Sequence, residues 1–258
     1  MAFLELHCYS ESLRHQVAVN VLLPQRHPWE PELTGDTRVL YLLHGLGDDH
    51  TGWARLTSLE RYCMGRNMAV IMPSVFRGFY TDTQYGARYW QYVSRELPSL
   101  VKHFFALDPR REDCFAAGLS MGGYGALKLA FLRPERFCAA AALSAAVMGE
   151  LFRSRYSDTE EDKEMAREFG FVFGDAFAPS DDIFSAASVC ASGPLRPALY
   201  LSVGADDFIR EPFFAFHKHL DALGYAHIWQ EHPGHAHTWD YWDSCLPRVL
   251  DWFEGAPG

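Results

Sequence analysis

Ser120 stands at the centre of a Gly-x-Ser-x-Gly pentapeptide, a pattern that can expose a nucleophilic hydroxyl group. The apolar run 114–117 before it predicts a buried strand, and the segment 124–132 after it predicts a helix. Strand, sharp turn and helix together are the setting of a nucleophile elbow. We expect a Cβ atom at Gly118 or Gly122 to collide with the neighbouring strand or helix. The simpler alternative is an ordinary serine in a glycine-rich turn.

A serine hydroxyl is a poor nucleophile near neutral pH and needs a base that a carboxylate orients. In hydrolases with this elbow, the acid follows the serine along the chain and the histidine follows the acid. Asp206 and Asp207 come directly after the predicted strand 199–203. We prefer Asp207, because its spacing from Gly204 lets the chain turn back over the sheet. Asp206 remains the alternative, and a solvated acidic turn explains one of the two.

Three histidines share the loop after the last predicted strand, namely His232, His235 and His237. We predict His237 as the base because it immediately precedes the closing helix, and His235 is its alternative. The His-x-x-His-x-His spacing also permits a zinc site, to which Asp240 or Asp243 could add an oxygen ligand. Most histidine clusters in loops bind no metal and a triad already uses one of these residues, so we expect no metal and no organic cofactor.

A second glycine-rich turn, His44-Gly45-Leu46-Gly47, follows the apolar run 39–43, which predicts a central parallel strand. Paired with the elbow, this turn is where the second donor to a developing oxyanion is expected. We predict the backbone N–H groups of Leu46 and Met121 as the two donors. The alternative is a plain strand-ending turn in which the histidine packs.

Large side chains near these turns are candidates for the wall of a substrate pocket. The predicted pocket residues are Trp53, Tyr80, Tyr124, Met148, Phe152 and Trp239. Aromatic residues of this kind are equally consistent with packing onto the surface of loops.

Predicted strands alternate with predicted helices along the chain, which indicates an α/β fold with a mainly parallel sheet covered on both faces. The predicted strands are 4–9, 16–23, 39–43, 69–72, 114–117, 138–143, 199–203 and 228–231, and the predicted helices are 53–64, 97–106, 124–132, 212–223 and 241–253. The first two strands are expected to form an antiparallel edge. Segment 145–192, with a capping box at 157–160, predicts a small cap that could close as a lid. A long connection with its own small core is the alternative.

Length and composition limit the classes of protein to consider. The 258 residues suit a single α/β domain with a full hydrophobic core. The net charge of −10 argues against nucleic acid or an anionic membrane surface as partner. Six cysteines without a Cys-x-x-Cys pair, no membrane-length apolar run and an acidic start at Glu5 predict a reduced, cytoplasmic setting. The oligomeric state, including a homo-oligomer, stays open.

Three segments together, 42–45, 118–123 and 234–239, resemble the putative-esterase family, which includes esterase D (S-formylglutathione hydrolase), bacterial tributyrin and acetyl esterases, and mycolyltransferases. Segments 78–82, 204–208 and 239–243 also match the tributyrin-esterase branch. The resemblance implies an α/β-hydrolase fold and carboxylesterase activity. It further implies a triad of Ser120, Asp207 and His237 with oxyanion donors at Leu46 and Met121. It favours His237 over His235, because the family's base precedes a tryptophan with one residue between them.

The expected substrate is a small-molecule ester of a short acyl chain, such as an acetylated or feruloylated carbohydrate, hydrolysed through an acyl-enzyme. One alternative is a thioesterase like S-formylglutathione hydrolase. Those enzymes carry a cysteine shortly after the oxyanion turn, where this chain has Gly47-Asp48-Asp49. The other alternative is a hydrolase-fold binding protein without turnover, against which the intact triad and both oxyanion turns argue.

Overall fold

The computed structural model describes residues 1–26, 28, 32–84, 86–149 and 160–255. Most of the predicted capping box and Phe152 lie outside these residues. Among the described residues, no helix combines the length and apolar character needed to cross a membrane.

A single mixed sheet organises the described chain. Its strands are β1 (Ala2–Ser10), β2 (His15–Leu23), β3 (Arg38–Leu43), β4 (Met68–Pro73), β5 (Cys114–Leu119), β6 (Ala139–Leu143), β7 (Ala198–Gly204) and β8 (Ile228–His232). They lie in the order β1-β2-β4-β3-β5-β6-β7-β8. β1 pairs antiparallel with β2 and β2 antiparallel with β4, whereas the other neighbours are parallel. The mainly parallel sheet with an antiparallel edge is therefore confirmed.

Helices cover both faces of this sheet. They are α1 (Gly52–Leu56), α2 (Leu59–Cys63), α3 (Tyr89–Gln91), α4 (Leu97–Phe105), α5 (Met121–Leu132), α6 (Glu160–Phe173), α7 (Ile183–Ala191), α8 (Arg210–Ala222) and α9 (Trp239–Gly255). Tyr41 faces the core that includes α5 and α8, while its neighbours Leu40 and Leu42 face the core beneath α2 and α9. Successive strand side chains point to opposite faces, so the apolar run 39–43 of β3 fills both cores at once.

The helix predicted over 53–64 is in fact two short helices. Thr57 is extended at φ −136° and ψ 172°, and its hydroxyl donates to the carbonyl of Trp53. The next backbone N–H, that of Ser58, donates to Asp243 Oδ1 at 2.8 Å. The break therefore depends on a contact with a side chain of α9. The local sequence does not predict this contact.

The helix predicted to open at Leu97 begins earlier, at Tyr89. α3 continues through a π-helical turn (Tyr92–Glu96) into α4, and Pro98 lies inside this continuous segment. A proline cannot donate to the carbonyl one turn before it. The carbonyl of Ser94 instead accepts from the Arg133 guanidinium at 3.1 Å, which lets the helix pass through the proline.

The insertion between β6 and β7 packs against the main body. The rings of Phe169 and Phe173 on α6 lie 5.5 and 5.6 Å from the ring of Phe79, which follows β4. The Arg77 guanidinium pairs with the Glu168 carboxylate on the outer side of this contact. The described part of the insertion is thus a layer over the loop that follows β4.

Parallel pairing brings the loops after β3, β5, β7 and β8 to one edge of the sheet, because the carboxyl ends of parallel strands share an edge. Those loops carry Leu46, Ser120, Asp207 and His237. Four segments that are distant in sequence therefore meet at one place.

Candidate active site

Ser120 adopts a backbone conformation that few side chains tolerate, with φ 52° and ψ −118°. The conformation is held at both ends of the residue. Its N–H donates to the carbonyl of Leu143 at 2.9 Å, and its carbonyl accepts from the N–H groups of Tyr124 and Ala146 at 3.1 and 3.0 Å. Strain of this kind, on the order of 1–3 kcal/mol, persists only where surrounding contacts over-determine it.

The two glycines of the pentapeptide allow the sharp turn. A Cβ atom on Gly118 would lie 2.3 Å from the carbonyl oxygen of Gly122, and one on Gly122 would lie 2.2 Å from that of Leu43. Both distances are far below van der Waals contact with backbone atoms that cannot move aside. The predicted collision is confirmed, with helix α5 at one glycine and strand β3 at the other.

Asp207 and His237 form a direct pair. The imidazole Nδ1 lies 2.9 Å from Asp207 Oδ2 and 3.0 Å from Oδ1. The carboxylate is wholly inaccessible and also accepts from the N–H of Ile209 at 2.9 Å. A carboxylate can only accept, so Nδ1 carries the proton and Nε2 is left with its lone pair.

The alternative residues hold other positions. The side chain of Asp206 is exposed, and its backbone N–H donates to the carbonyl of His235 at 2.9 Å. The His235 ring packs against Tyr241, with centroids 5.1 Å apart. The structure therefore joins Asp207 to His237 and leaves Asp206 and His235 outside that pair.

The His237 ring is also held by two aromatic neighbours. Phe208 lies 4.6 Å from it, and Trp242 meets it edge-on at 4.9 Å. Trp242 in turn donates its indole N–H to Ser144 Oγ at 3.1 Å. The orientation of the imidazole is thus set by these two aromatic contacts as well as by Asp207.

The turn after β3 is organised by His44, whose part in positioning sequence reasoning missed. Burial lowers the pKa of the His44 imidazole to about 4, so the ring is neutral at pH 7. Its Nε2 accepts the N–H of Val75 at 3.0 Å, which leaves Nδ1 as the donor to the carbonyl of Gly45 at 2.8 Å. Asp48 N–H donates to the same carbonyl at 3.2 Å.

The fixed carbonyl of Gly45 determines where the N–H of Leu46 points. These two groups belong to one planar trans peptide and therefore point in opposite directions. Leu46 and Met121 both line the cavity beside Ser120. The two predicted backbone donors therefore lie in residues that line one cavity with the serine.

That cavity has a volume of about 310 Å³ and is mainly apolar. Its lining residues are Leu46, Phe79, Ser120, Met121, Ala146, Met165, Phe169, Phe208, Ile209 and His237. Sequence reasoning missed the apolar members of this wall. The signal for two of them was present, because Met165, Phe169, Val172 and Phe173 have the spacing of one helical face.

The structure places the predicted pocket residues that it describes outside the lining of this cavity. Trp53, Tyr80, Tyr124, Met148 and Trp239 are absent from the lining of this cavity. The first four are fully buried and belong to the core that supports the site. The Trp53 indole donates to the carbonyl of Leu43, the Tyr80 hydroxyl to that of His44, and the Tyr124 hydroxyl to that of Asp181, each at 2.9 Å.

Trp239, the fifth of these residues, packs edge-on against Trp53 at 5.3 Å instead of facing the cavity. The sixth predicted pocket residue, Phe152, lies outside the described residues. Trp53 and Tyr80 thus support the turns that carry the site, a role that residue type alone does not distinguish from substrate contact.

The alternative zinc site in the loop after β8 is not among the groups of three convergent ligands found over the described residues. His237 is engaged by Asp207, and the rings of His232 and His235 are 6.3 Å apart. Over the residues that the structure describes, a set of three convergent potential ligands occurs elsewhere, at His217, Asp221 and His227.

Comparison with known proteins identifies the family of the chain. A family model described as "Putative esterase" matches residues 10–253. An acetyl esterase from Caldicellulosiruptor saccharolyticus is 26% identical over 261 residues, which cover 98% of both chains.

Two solved structures from Staphylococcus aureus are similar over 98% of both chains. The fluorophosphonate-binding serine hydrolase FphF superposes with a TM-score of 0.83 at 29% identity. The S-formylglutathione hydrolase FrmB superposes with a TM-score of 0.81 at 28% identity. The mainly parallel sheet described above is therefore that of the α/β-hydrolase fold.

Proposed function

Because the chain belongs to the putative-esterase family and is a carboxylic-ester hydrolase, we propose that Ser120, His237 and Asp207 are its catalytic triad and that it acts on esters of short acyl chains. The observation that carries the proposal is the buried Asp207 carboxylate on His237 Nδ1, with the ring facing the cavity that holds Ser120. The similarity to an acetyl esterase supports acetyl esters as the substrate class, carbohydrate acetates among them.

The reaction proceeds in two steps. His237 Nε2 takes the Ser120 proton as Oγ attacks the ester carbonyl, and the negative charge of Asp207 stabilises the imidazolium that forms. The N–H groups of Leu46 and Met121 donate to the oxyanion, each contributing about 3 kcal/mol. The imidazolium returns its proton to the leaving alcohol. Water, deprotonated by the same nitrogen, then releases the acid and restores the serine.

The acyl group occupies the apolar wall formed by Phe79, Ala146, Met165 and Phe169. A volume of about 310 Å³ is at the small end of ligand cavities, which span roughly 300–1,000 Å³, and favours acetyl or butyryl groups. We assign segment 145–192 the role of a cap, since α6 supplies two of these wall residues. All six cysteines lie in the described part of the chain as free thiols, which supports a cytoplasmic setting.

Hydrolysis of p-nitrophenyl esters from acetate to palmitate tests the proposal. The wild type is expected to prefer acetate or butyrate. Ser120→Ala, His237→Ala and Asp207→Asn are expected to lower kcat by at least about 10⁴-fold. Asp206→Asn and His235→Gln are matched controls that should retain activity. An inactive wild type, or a Ser120→Ala variant with full activity, would refute the triad.

Thioester hydrolysis is a second candidate, favoured by the 28% identity to an S-formylglutathione hydrolase. The ratio of kcat/KM for S-formylglutathione to that for p-nitrophenyl acetate separates the two. A ratio well below one is expected, because Gly47-Asp48-Asp49 lacks the cysteine of those enzymes. A binding protein without turnover is distinguished by labelling, since a fluorophosphonate should modify Ser120 rapidly only in an active enzyme.

A further inference from the structure

Three potential metal ligands converge at the junction of α8 and β8, away from the candidate active site. His217 and Asp221 are one helical turn apart on α8, and His227 precedes β8. One ligand atom from each lies within 4.8 Å of the other two. None of the three lines the cavity beside Ser120.

His227 is oriented as a metal ligand needs to be. Its Nδ1 lies 2.7 Å from the carbonyl oxygen of Tyr225, to which it can only donate. Nε2 therefore keeps its lone pair and faces His217 Nδ1 at 2.7 Å. Metal-binding histidines usually donate their second ring N–H to a backbone carbonyl or carboxylate in this way. The His227 side chain is only 4% exposed, so the ring has little freedom to turn away.

His217 is equally restrained. Its ring stacks on Trp229 with centroids 4.7 Å apart and an interplanar angle of 12°. Asp221 completes the group, with Oδ2 at 3.6 Å from His217 Nε2 and Oδ1 at 4.0 Å from His227 Nε2.

We propose that His217, Asp221 and His227 bind one divalent transition-metal ion of the Zn²⁺ class, with water as the fourth ligand. Two imidazole nitrogens and one carboxylate oxygen form a donor set suited to zinc, nickel or copper rather than to calcium or magnesium. Zinc-to-nitrogen bonds of about 2.0–2.1 Å in a tetrahedron separate ligand atoms by about 3.3 Å. His227 Nε2 lies 2.7 Å from His217 Nδ1 and 4.0 Å from Asp221 Oδ1, on either side of that value.

Binding needs two small changes. The two imidazoles must part by about 0.6 Å to reach the tetrahedral separation. His217 must exchange the proton on Nδ1 for one on Nε2, so that no net proton is released. The ammonium group of Lys218, 3.2 Å from Asp221 Oδ2, is the cation that the metal displaces.

The bound ion would join the last turns of α8 to the edge strand β8. A ligand that binds only the folded state stabilises it, so the melting temperature should rise with zinc concentration. Ester hydrolysis should change little, because the ligands do not line the cavity.

Titration of the full chain, stripped of metal by a chelator, tests this site. We expect one Zn²⁺ or Ni²⁺ ion per chain by calorimetry and a rise in melting temperature. Ni²⁺ should also quench Trp229 emission, and Trp229→Phe should lose that part of the quenching. His217→Gln and Asp221→Asn should each weaken binding by about 100-fold or more and abolish the rise.

Asp221→Asn separates loss of a ligand from loss of the fold, because that side chain is about half exposed. His103→Gln, an exposed histidine on α4, is the control that should bind zinc as the wild type does. Binding that survives both ligand variants would assign the metal to other histidines and overturn the proposal. A wild type that binds no metal below millimolar concentration would overturn it as well.

Discussion

The imidazole of His44 acts on the proposed oxyanion site through one peptide group without lining the cavity itself. Its tautomer is determined by Val75, whose N–H occupies Nε2, so the Nδ1 proton is directed to the carbonyl of Gly45. That bond and the one from Asp48 prevent the peptide from rotating. The donor at Leu46 is therefore aimed before substrate arrives, which is the condition under which a hydrogen bond stabilises a transition state most.

Two variants of His44 separate this positioning role from packing. In His44→Asn the amide nitrogen occupies the place of Nδ1 and can still donate to Gly45, whereas in His44→Gln the amide is in the place of Nε2. We expect His44→Gln to lower kcat for p-nitrophenyl acetate by about 10- to 100-fold with little change in KM. His44→Asn should keep most of the activity. Equal losses in both would mean that the residue only packs.

The buried His44 also makes stability depend on pH. Its folded-state pKa of about 4 lies below the ordinary value of 6.5, so the unfolded chain binds the proton more tightly. The free energy of unfolding should therefore fall as the pH drops from 6.5 to 4, by on the order of 3 kcal/mol from this residue. Urea titrations across that range check it. His44→Asn should show a shallower fall, and an unchanged slope would contradict the assignment.

At the scale of elements, α6 decides how long an acyl chain the proposed pocket accepts. Met165 and Phe169 are one turn apart and both line the cavity, while Phe171, two residues after Phe169, is exposed. Phe169 also packs on Phe79, so the wall is rigid on that side. The helix therefore forms the part of the wall that limits the length of the acyl chain.

Truncating the side chains of this wall should shift the substrate preference to longer acyl chains. We expect Met165→Ala and Phe169→Ala to raise kcat/KM for hexanoate relative to acetate by about tenfold or more, since each newly buried methylene contributes about 0.8 kcal/mol. The p-nitrophenyl ester series measures it. Phe171→Ala is the matched control on the exposed face and should keep the wild-type preference. A preference unchanged in all three variants would remove α6 from the acyl pocket.

A buried ion pair joins helix α5 to the insertion. Lys128 Nζ lies 2.6 Å from Asp181 Oδ1 and 2.7 Å from Thr81 Oγ1, and its side chain is only 1% exposed. Burial lowers the pKa of Lys128, against the opposing effect of the Asp181 charge. The ammonium group therefore depends on Asp181 to remain charged inside the protein.

Removing the Asp181 carboxylate should lower the free energy of unfolding much more than removing the buried charge of Lys128. Asp181→Ala leaves an uncompensated ammonium group and should lower the free energy of unfolding by about 3–5 kcal/mol. Lys128→Met leaves only Asp181, which is partly exposed and can be solvated, so its loss should be smaller. Denaturant unfolding of both variants tests the order. The reverse order would show that packing of the lysine stem outweighs its charge.

For the whole molecule, the sequence predicted the features that depend on the local pattern of residues. The apolar runs within β3 and β7 located central strands because a strand buried on both faces carries mostly apolar side chains. Parallel strands then bring the loops bearing Ser120 and His237 to the same edge. Chain order alone left Asp206 and His235 open, and the three-dimensional structure was needed to pair Asp207 with His237.

What sequence could not predict depends on distant partners. The break at Ser58 requires Asp243, which is 185 residues away, and the helix passes through Pro98 because Arg133 takes up the freed carbonyl. The aromatic residues assigned to the pocket illustrate the same limit. Tyr80 and Trp53 have the right type and neighbourhood, but their hydrogen bonds to β3 and the turn after it direct them into the framework.

Because the backbone of Ser120 has a positive φ angle, stability and activity favour different residues at this position. At φ 52° a glycine is unstrained, whereas a residue with a Cβ atom is strained. Ser120→Gly would therefore relax the turn and give up the nucleophile, whereas Ser120→Ala gives up the nucleophile and keeps the strain. An engineered chain selected only for resistance to heat would drift toward an inactive glycine at this position, since nothing in folding rewards the hydroxyl. Selection for thermal stability must therefore be combined with selection for catalytic activity.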